Sequence, residues 1–235
     1  MNQDRPFDLE IGRSAAAERS FMHQVYLWMA MALGLTAVVA WGVAQNPSIV
    51  AALFRNPFLF LVITIAQLGL VFWLSASILR IGIMTATIGF SIYATLNGVI
   101  FSSIFLAYTA ASIATTFFVT AGTFAIVSIY GFATHKDLTS VGSFCFMALI
   151  GLILASLVNL FFKNPVFDWI LSYAGVAIFI GLTAYDTQQL KRIHEQGFGS
   201  GEVLQKMSLI GALRLYLDFI NLFLLLLRIM GRRRD

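Results

Sequence analysis

Seven mostly apolar stretches of about 20 residues dominate the chain, and that length is what a helix needs to cross a hydrocarbon core ~30 Å thick. They fall near 24–45, 58–79, 82–107, 112–133, 142–162, 166–188 and 207–230. In lipid, every backbone N–H and C=O has to be satisfied within the protein, which leaves helices or closed barrels. Stretches of this length are helical, because a membrane strand needs only about half as many residues. The sequence therefore predicts an all-α membrane protein with seven transmembrane helices in one domain, 21–231. A polar N-terminal segment, 1–20, precedes it and a basic tail, 232–235, follows. Three of the four prolines occur as Asn-Pro, at Asn46-Pro47, Asn56-Pro57 and Asn164-Pro165, each at an expected helix boundary. Proline begins or ends a helix cheaply and interrupts one at high cost.

With 59% hydrophobic and 11% charged residues, the chain has more apolar surface than one soluble core of its size uses. Its formal charge of +4 sits at span ends and in the tail, which speaks against a nucleic-acid surface and for contact with a lipid bilayer. Residues 1–20 mix acids and bases without an apolar run, so no cleavable signal peptide is expected. Basic residues favour the cytoplasmic side. A cytoplasmic N-terminus collects Arg5, Arg13, Arg19, Arg80, Lys136, Lys191, Arg192 and Lys206 there, against Arg55 and Lys163 in the first three outer loops. Arg228, Arg232, Arg233 and Arg234 are then exported if the last segment crosses, or retained if it is re-entrant; both remain open on sequence. The only cysteine, Cys145, excludes an intrachain disulfide and a cysteine-based metal cluster.

Asp218 lies inside the most apolar stretch, Leu213-Arg-Leu-Tyr-Leu-Asp-Phe-Ile-Asn-Leu-Phe223. An acid at bilayer depth costs roughly 2.5–3.5 kcal/mol and by default marks an ion or proton path. At 100° per residue, Arg214, Asp218, Asn221, Leu225 and Arg228 stand at about 0°, 40°, −20°, 20° and −40°, so they form one stripe. Such a stripe needs a protein cover or an aqueous cavity, and the last helix is expected to pack centrally. The blander alternative sends Arg228 to the interface and leaves Asp218 and Asn221 as a packing pair. Asp186 closes the preceding span in Leu182-Thr-Ala-Tyr-Asp-Thr187, with hydroxyls from Thr183 and Tyr185 close by. Ala177 and Gly181 give it the small-residue spacing that lets helices approach. Two carboxyl groups in contact resist double ionisation and titrate as a unit, which makes a proton switch.

The segments Gly181-Leu-Thr-Ala-Tyr-Asp-Thr-Gln-Gln-Leu-Lys191 and Leu215-Tyr-Leu-Asp-Phe-Ile-Asn-Leu-Phe-Leu224 resemble the signature of the Bax inhibitor-1 family of membrane proteins. Phe72-Trp73 and Ser102-Ser103-Ile104-Phe105 extend the resemblance over nearly all of the chain after about residue 20. It implies a bacterial inner-membrane member with its last helix wrapped by two three-helix layers. It also implies a pH-sensitive calcium leak: aspartates at the positions of Asp186 and Asp218 share a proton, and an arginine at the position of Arg80 latches them. The plain reading of Arg80 is a positive-inside anchor. Arg214 departs from the bacterial pattern, and its i,i+4 spacing lets a guanidinium offset the charge of Asp218.

Calcium takes six to eight oxygens. Asp186 and Asp218 supply at most four, with Asn221, Tyr185 and Thr183 as additions, so weak transit binding is expected and no resident cofactor. No enzymatic activity is expected. An intramembrane aspartyl protease needs a Gly-x-Gly-Asp-like second motif, whereas Leu215-Tyr216-Leu217 precedes Asp218. A retinal protein needs a lysine in its last helix, and none lies between Met207 and Arg228. The serious alternative is a regulator that binds a membrane quality-control protease or another membrane partner through residues 1–20 or the arginine tail. Gly197-Phe-Gly-Ser-Gly201 reads as a connector, not a phosphate loop. His23, His135 and His194 share no metal-ligand spacing.

Overall fold

The computed structural model describes residues 5–195 and 201–234, with side chains described from Ser20 onward except Pro47, Phe54, His194 and Glu195. Eight helices follow in order: α1 Arg5–Ala44, α2 Pro47–Arg55, α3 Pro57–Ser77, α4 Ile83–Ala107, α5 Ala110–Ala133, α6 Thr139–Phe162, α7 Pro165–Glu195 and α8 Glu202–Met230. Seven of them, all but the nine-residue α2, are long and apolar enough to cross a membrane. No strand occurs among the described residues, apart from one isolated bridge at the tail.

The Asn-Pro pairs act as expected. Pro47, Pro57 and Pro165 each open a helix. Asn56 accepts from the N–H groups of Phe58 and Leu59, and Asn164 from those of Val166 and Phe167, so two of these helices have their first free donors satisfied. Asn46 instead donates to Gly42 O, closing the end of α1.

Three boundaries differ from the sequence reading. The segment between the first two Asn-Pro pairs is not a plain loop but the helix α2. The polar segment 5–19 continues α1, since Ser14-Ala-Ala-Ala-Glu-Arg19 contains good helix formers and no breaker. The helix α7 runs to Glu195 instead of 188, about 10 Å further. This sets Asp186 well inside its helix.

α8 packs against α1, α4, α5 and α7, while α3 packs mainly on α4 and α6 mainly on α7. The faces of α8 divide the work. Tyr216 meets Phe90 and Tyr93 edge-on at 5.8 and 5.9 Å, and Phe219 meets Phe117 and Phe124, both at 5.5 Å. Leu222 joins Cys145, Ile178, Phe179 and Leu182 in a second cluster. These apolar faces seat α8 against its neighbours and leave the polar stripe turned toward α6.

One buried polar link crosses this core. Thr36 Oγ1 donates to Ala94 O at 2.9 Å and lies 2.8 Å from the Tyr216 hydroxyl, which must then be the donor to it. Tyr216→Phe should lower stability by about 0.5–1.5 kcal/mol, the usual worth of such a bond. Thermal unfolding in detergent checks this; an unchanged midpoint would show the link to be idle.

The tail settles whether α8 crosses. α8 is unbroken over 29 residues. Beyond it, Arg232 O accepts from Thr109 N, Arg234 N donates to Ala107 O, and Arg232 N donates to Ser112 Oγ. The tail therefore lies on the face of the α4–α5 connector, opposite the α3–α4 turn, and the last segment is a full crossing.

Candidate functional site

Asp186 from α7 and Asp218 from α8 meet, each carboxyl within hydrogen-bonding contact of the other. Asp218 is 5% exposed, and its Oδ2 is buried without a hydrogen-bond partner. An ionised carboxylate only accepts, so two of them in contact become a hydrogen bond only when one carries a proton. The charge nearest both is Arg214, one turn before Asp218, which is exposed and within electrostatic reach of each acid.

The pair borders a cavity of about 1010 Å³ between α6, α7 and α8. The whole predicted stripe, Arg214, Asp218, Asn221, Leu225 and Arg228, lines it, together with Tyr185 and Asp186. Across from the stripe stand α6 residues, among them Ser143, Phe146, Ile153 and Leu157. The alternative that leaves Asp218 and Asn221 as a mere packing pair does not describe this face, because Asn221 bonds within its own helix, Nδ2 to Leu217 O at 2.7 Å. Its carbonyl oxygen is left for the cavity.

Close packing brings the two acids together. Gly131 of α5 is so near Ala184 that an added Cβ would stand 2.3 Å from the Ala184 carbonyl oxygen. Gly142 of α6 lies under the Tyr185 ring, where a Cβ would come within 2.4 Å. These glycines press α7 between α5 and α6 at the level of Asp186. Gly181, expected from its small-residue spacing, faces Cys145 Sγ at 2.4 Å from a built Cβ.

Not every expected residue joins the site. Thr183 is fully buried and donates to Phe179 O at 2.7 Å, so its hydroxyl turns along its own helix and away from the pair. Arg80 is exposed in the turn after α3, fixed by its N–H on Ser77 O at 2.8 Å, and it acts on neither carboxyl. The reason is its carrier: α3 packs mainly on α4, and Leu74 and Ile78 border α8 at Leu209, Ile210 and Leu213, ahead of Asp218. Arg228 does not simply snorkel. It binds Asp168 at the start of α7, Nη1 to Oδ1 at 3.0 Å, a partner the sequence reading missed. Asp168 was findable as the acid that follows Asn164-Pro165 within one turn of the helix start.

A second set of missed residues closes the other end. Gln188 is 5% exposed and clasps the α5–α6 connector twice, accepting from Leu138 N at 2.9 Å and donating to Lys136 O at 2.8 Å. Lys191 donates to Phe132 O at 3.2 Å, and Arg192 pairs with Asp137 at 2.8 Å. The Thr139 hydroxyl at 2.6 Å, its N–H at 2.9 Å and then the Arg192 guanidinium hold the Asp137 carboxyl down at about 2. A depressed carboxyl contributes fully above its ordinary value and loses its contribution as pH falls through the depressed one. Amide exchange in residues 134–139, corrected for its intrinsic pH dependence, should thus be constant from pH 8 to pH 5 and quicken only toward pH 2. Quickening already near pH 6 would contradict it.

No group of three or more His, Cys, Asp or Glu side chains that could hold a metal occurs among the described residues. Side chains that carry oxygen on the cavity wall are Ser143, Ser156, Tyr185, Asp186, Asp218 and Asn221. His194 and residues 196–200 of the glycine-rich connector lie outside the described side chains.

The chain matches the family described as "Inhibitor of apoptosis-promoting Bax1" over residues 18–235. It is 50% identical over 220 residues to the inner membrane protein YbhL of Escherichia coli, a match covering 93% of this chain and 94% of that one. An uncharacterized protein of Borreliella burgdorferi is 43% identical over 93% of this chain and 94% of its own length. An uncharacterized membrane protein of Streptococcus pyogenes is 36% identical over 90% and 92%.

Proposed function

The chain belongs to the Bax inhibitor-1 family, and from the meeting of its two carboxyl groups we propose that it is a pH-sensitive cation leak of the bacterial inner membrane, with calcium as the permeant ion. The observation that carries this reading is the Asp186–Asp218 contact on the wall of the cavity. With one shared proton the pair ties α7 to α8 and keeps the conduit narrow. When that proton leaves, two negative charges repel, the helices part, and oxygens become available to a hard cation. Arg214 keeps the deprotonated pair from being an isolated buried charge. Arg228 with Asp168 borders the far end. The protein acts as a passive conduit, with no enzymatic step and no resident cofactor.

The N-terminus is cytoplasmic in this reading, as the basic residues of the first loops favour. Arg228 and the tail then lie on the outer face. At the inner end, the Asp137 carboxyl is held at about 2 by Thr139 and Arg192 and so stays ionised between pH 5 and pH 8.

The test is calcium uptake into dye-loaded liposomes containing the purified chain, measured from pH 5 to pH 8. Uptake should rise with pH and exceed that of protein-free liposomes. A flat profile, or no excess over empty liposomes, overturns the reading.

A further inference from the structure

The cavity beside the carboxyl pair continues toward the tail face into a cleft of about 400 Å³, and Ser156, Leu160 and Arg228 border both spaces. The two parts differ in chemistry. The larger is walled on the α6 side by Phe146, Ile153, Leu157 and Leu160, all more than half exposed, and α6 packs mainly on α7. None of the described residues covers that wall, and in a bilayer an apolar wall is covered by hydrocarbon.

The smaller part is a nest of donors. Asn159 Oδ1 is already used by Asn164 N at 3.1 Å, and Asn164 Oδ1 by Val166 N and Phe167 N, so each amide has its NH₂ left to give. Lys163 stands in the left-handed turn that ends α6, φ 49°, with an exposed side chain. Arg228 uses Nη1 on Asp168 and has further N–H groups to give. Two cations thus face one carboxylate across a polar cleft that opens directly onto an apolar groove.

We propose that this two-part space seats one anionic phospholipid, its phosphodiester held by Lys163, Arg228 and the two asparagine amides, and one acyl chain lying along α6. The sign of the cleft selects the lipid. A phosphodiester with an uncharged alcohol supplies the negative charge that Lys163 and Arg228 lack, whereas a choline headgroup brings a third cation among them. Planar arginine and the amide donors suit phosphate oxygens. The chain in the groove faces the stripe of α8, so the lipid is a wall of the same conduit. Only that consequence rests on the proposed leak; the binding does not.

The experiment is native mass spectrometry of the full-length chain, released from detergent after exchange with equal amounts of phosphatidylglycerol and phosphatidylcholine. One retained phosphatidylglycerol is expected. Lys163→Asn keeps a residue that tolerates the left-handed turn and should weaken retention about fivefold, and Arg228→Gln likewise. Leu157→Trp, which fills the groove without touching the cleft, should also reduce it. Soluble glycerophosphate should not compete at equal concentration, since it has no chain for the groove. Equal retention of the two lipids, retention unaffected by Lys163→Asn and Arg228→Gln, or displacement by glycerophosphate would each overturn the proposal. Because the readout is a mass and not a flux, lipid retention lost with pH-dependent uptake intact removes only this inference. Retention with flat uptake removes only the leak.

Discussion

Liposomes carrying the Asp218→Asn chain are expected to show one low calcium uptake from pH 5 to pH 8. Asparagine has the shape of a protonated aspartic acid but cannot lose the proton that matters. Its NH₂ donates to the Asp186 carboxylate, which lies in hydrogen-bonding contact in the native chain. A hydrogen bond to a charged group is worth about 1.5–3 kcal/mol. At pH 8, where the proposed mechanism has the native pair apart, that bond would hold the open population down by roughly ten- to a hundredfold. Asp186→Asn should behave in the same way, because the bond can run in either direction. Either variant retaining the wild-type rise with pH would show that the proton is held elsewhere.

The second large effect is on folding. Gly131→Leu should leave little folded protein, and Gly131→Ala should fold with markedly lower thermal stability. A Cβ at Gly131 would sit 2.3 Å from Ala184 O and 3.0 Å from Ala184 C and Cα. Those are backbone atoms, so no rotamer change relieves the clash and α5 has to move off α7. Overpacking costs about 1–3 kcal/mol where side chains can adjust, and alanine here belongs at or above the top of that range. Ala184 lies two residues before Asp186, so the same displacement draws one acid away from the other. Size-exclusion profiles and melting in detergent measure the first consequence; the surviving Gly131→Ala protein should also respond less to pH. An alanine variant as stable as wild type would mean that the helices are less tightly apposed than described.

Much of this was legible because its causes are local. An Asn-Pro pair starts a helix through one ring and one side chain, and Pro47, Pro57 and Pro165 do so here. The polar stripe of α8 follows from the 3.6-residue period alone, and all five of its positions line one cavity. What escaped depends on contacts between distant parts of the chain. The Thr36–Tyr216 link joins residues 180 apart, and Arg228 finds Asp168 60 residues away. Nothing in the residues around Thr183 says that its hydroxyl turns back to Phe179. Arg80 was placed near the acids through family resemblance, and its position is decided by how α3 packs, which no local pattern encodes. The length of α7 was underestimated because Gln188, Lys191 and Arg192 look like the polar end of a span, whereas they are the residues that grip the α5–α6 connector.

That grip determines which part of the bundle is able to swing. With Gln188 and Lys191 clasping the connector and Gly131 locked on Ala184, α5 and α7 form one rigid strut. Aromatic stacking and the Thr36 link moor α8 to α1, α4 and α5 on its other sides. Gly142 beneath the Tyr185 ring and Cys145 against Gly181 join α6 to that strut, so the seam left to widen in the proposed conduit is the one that the two carboxyl groups span, between α7 and α8.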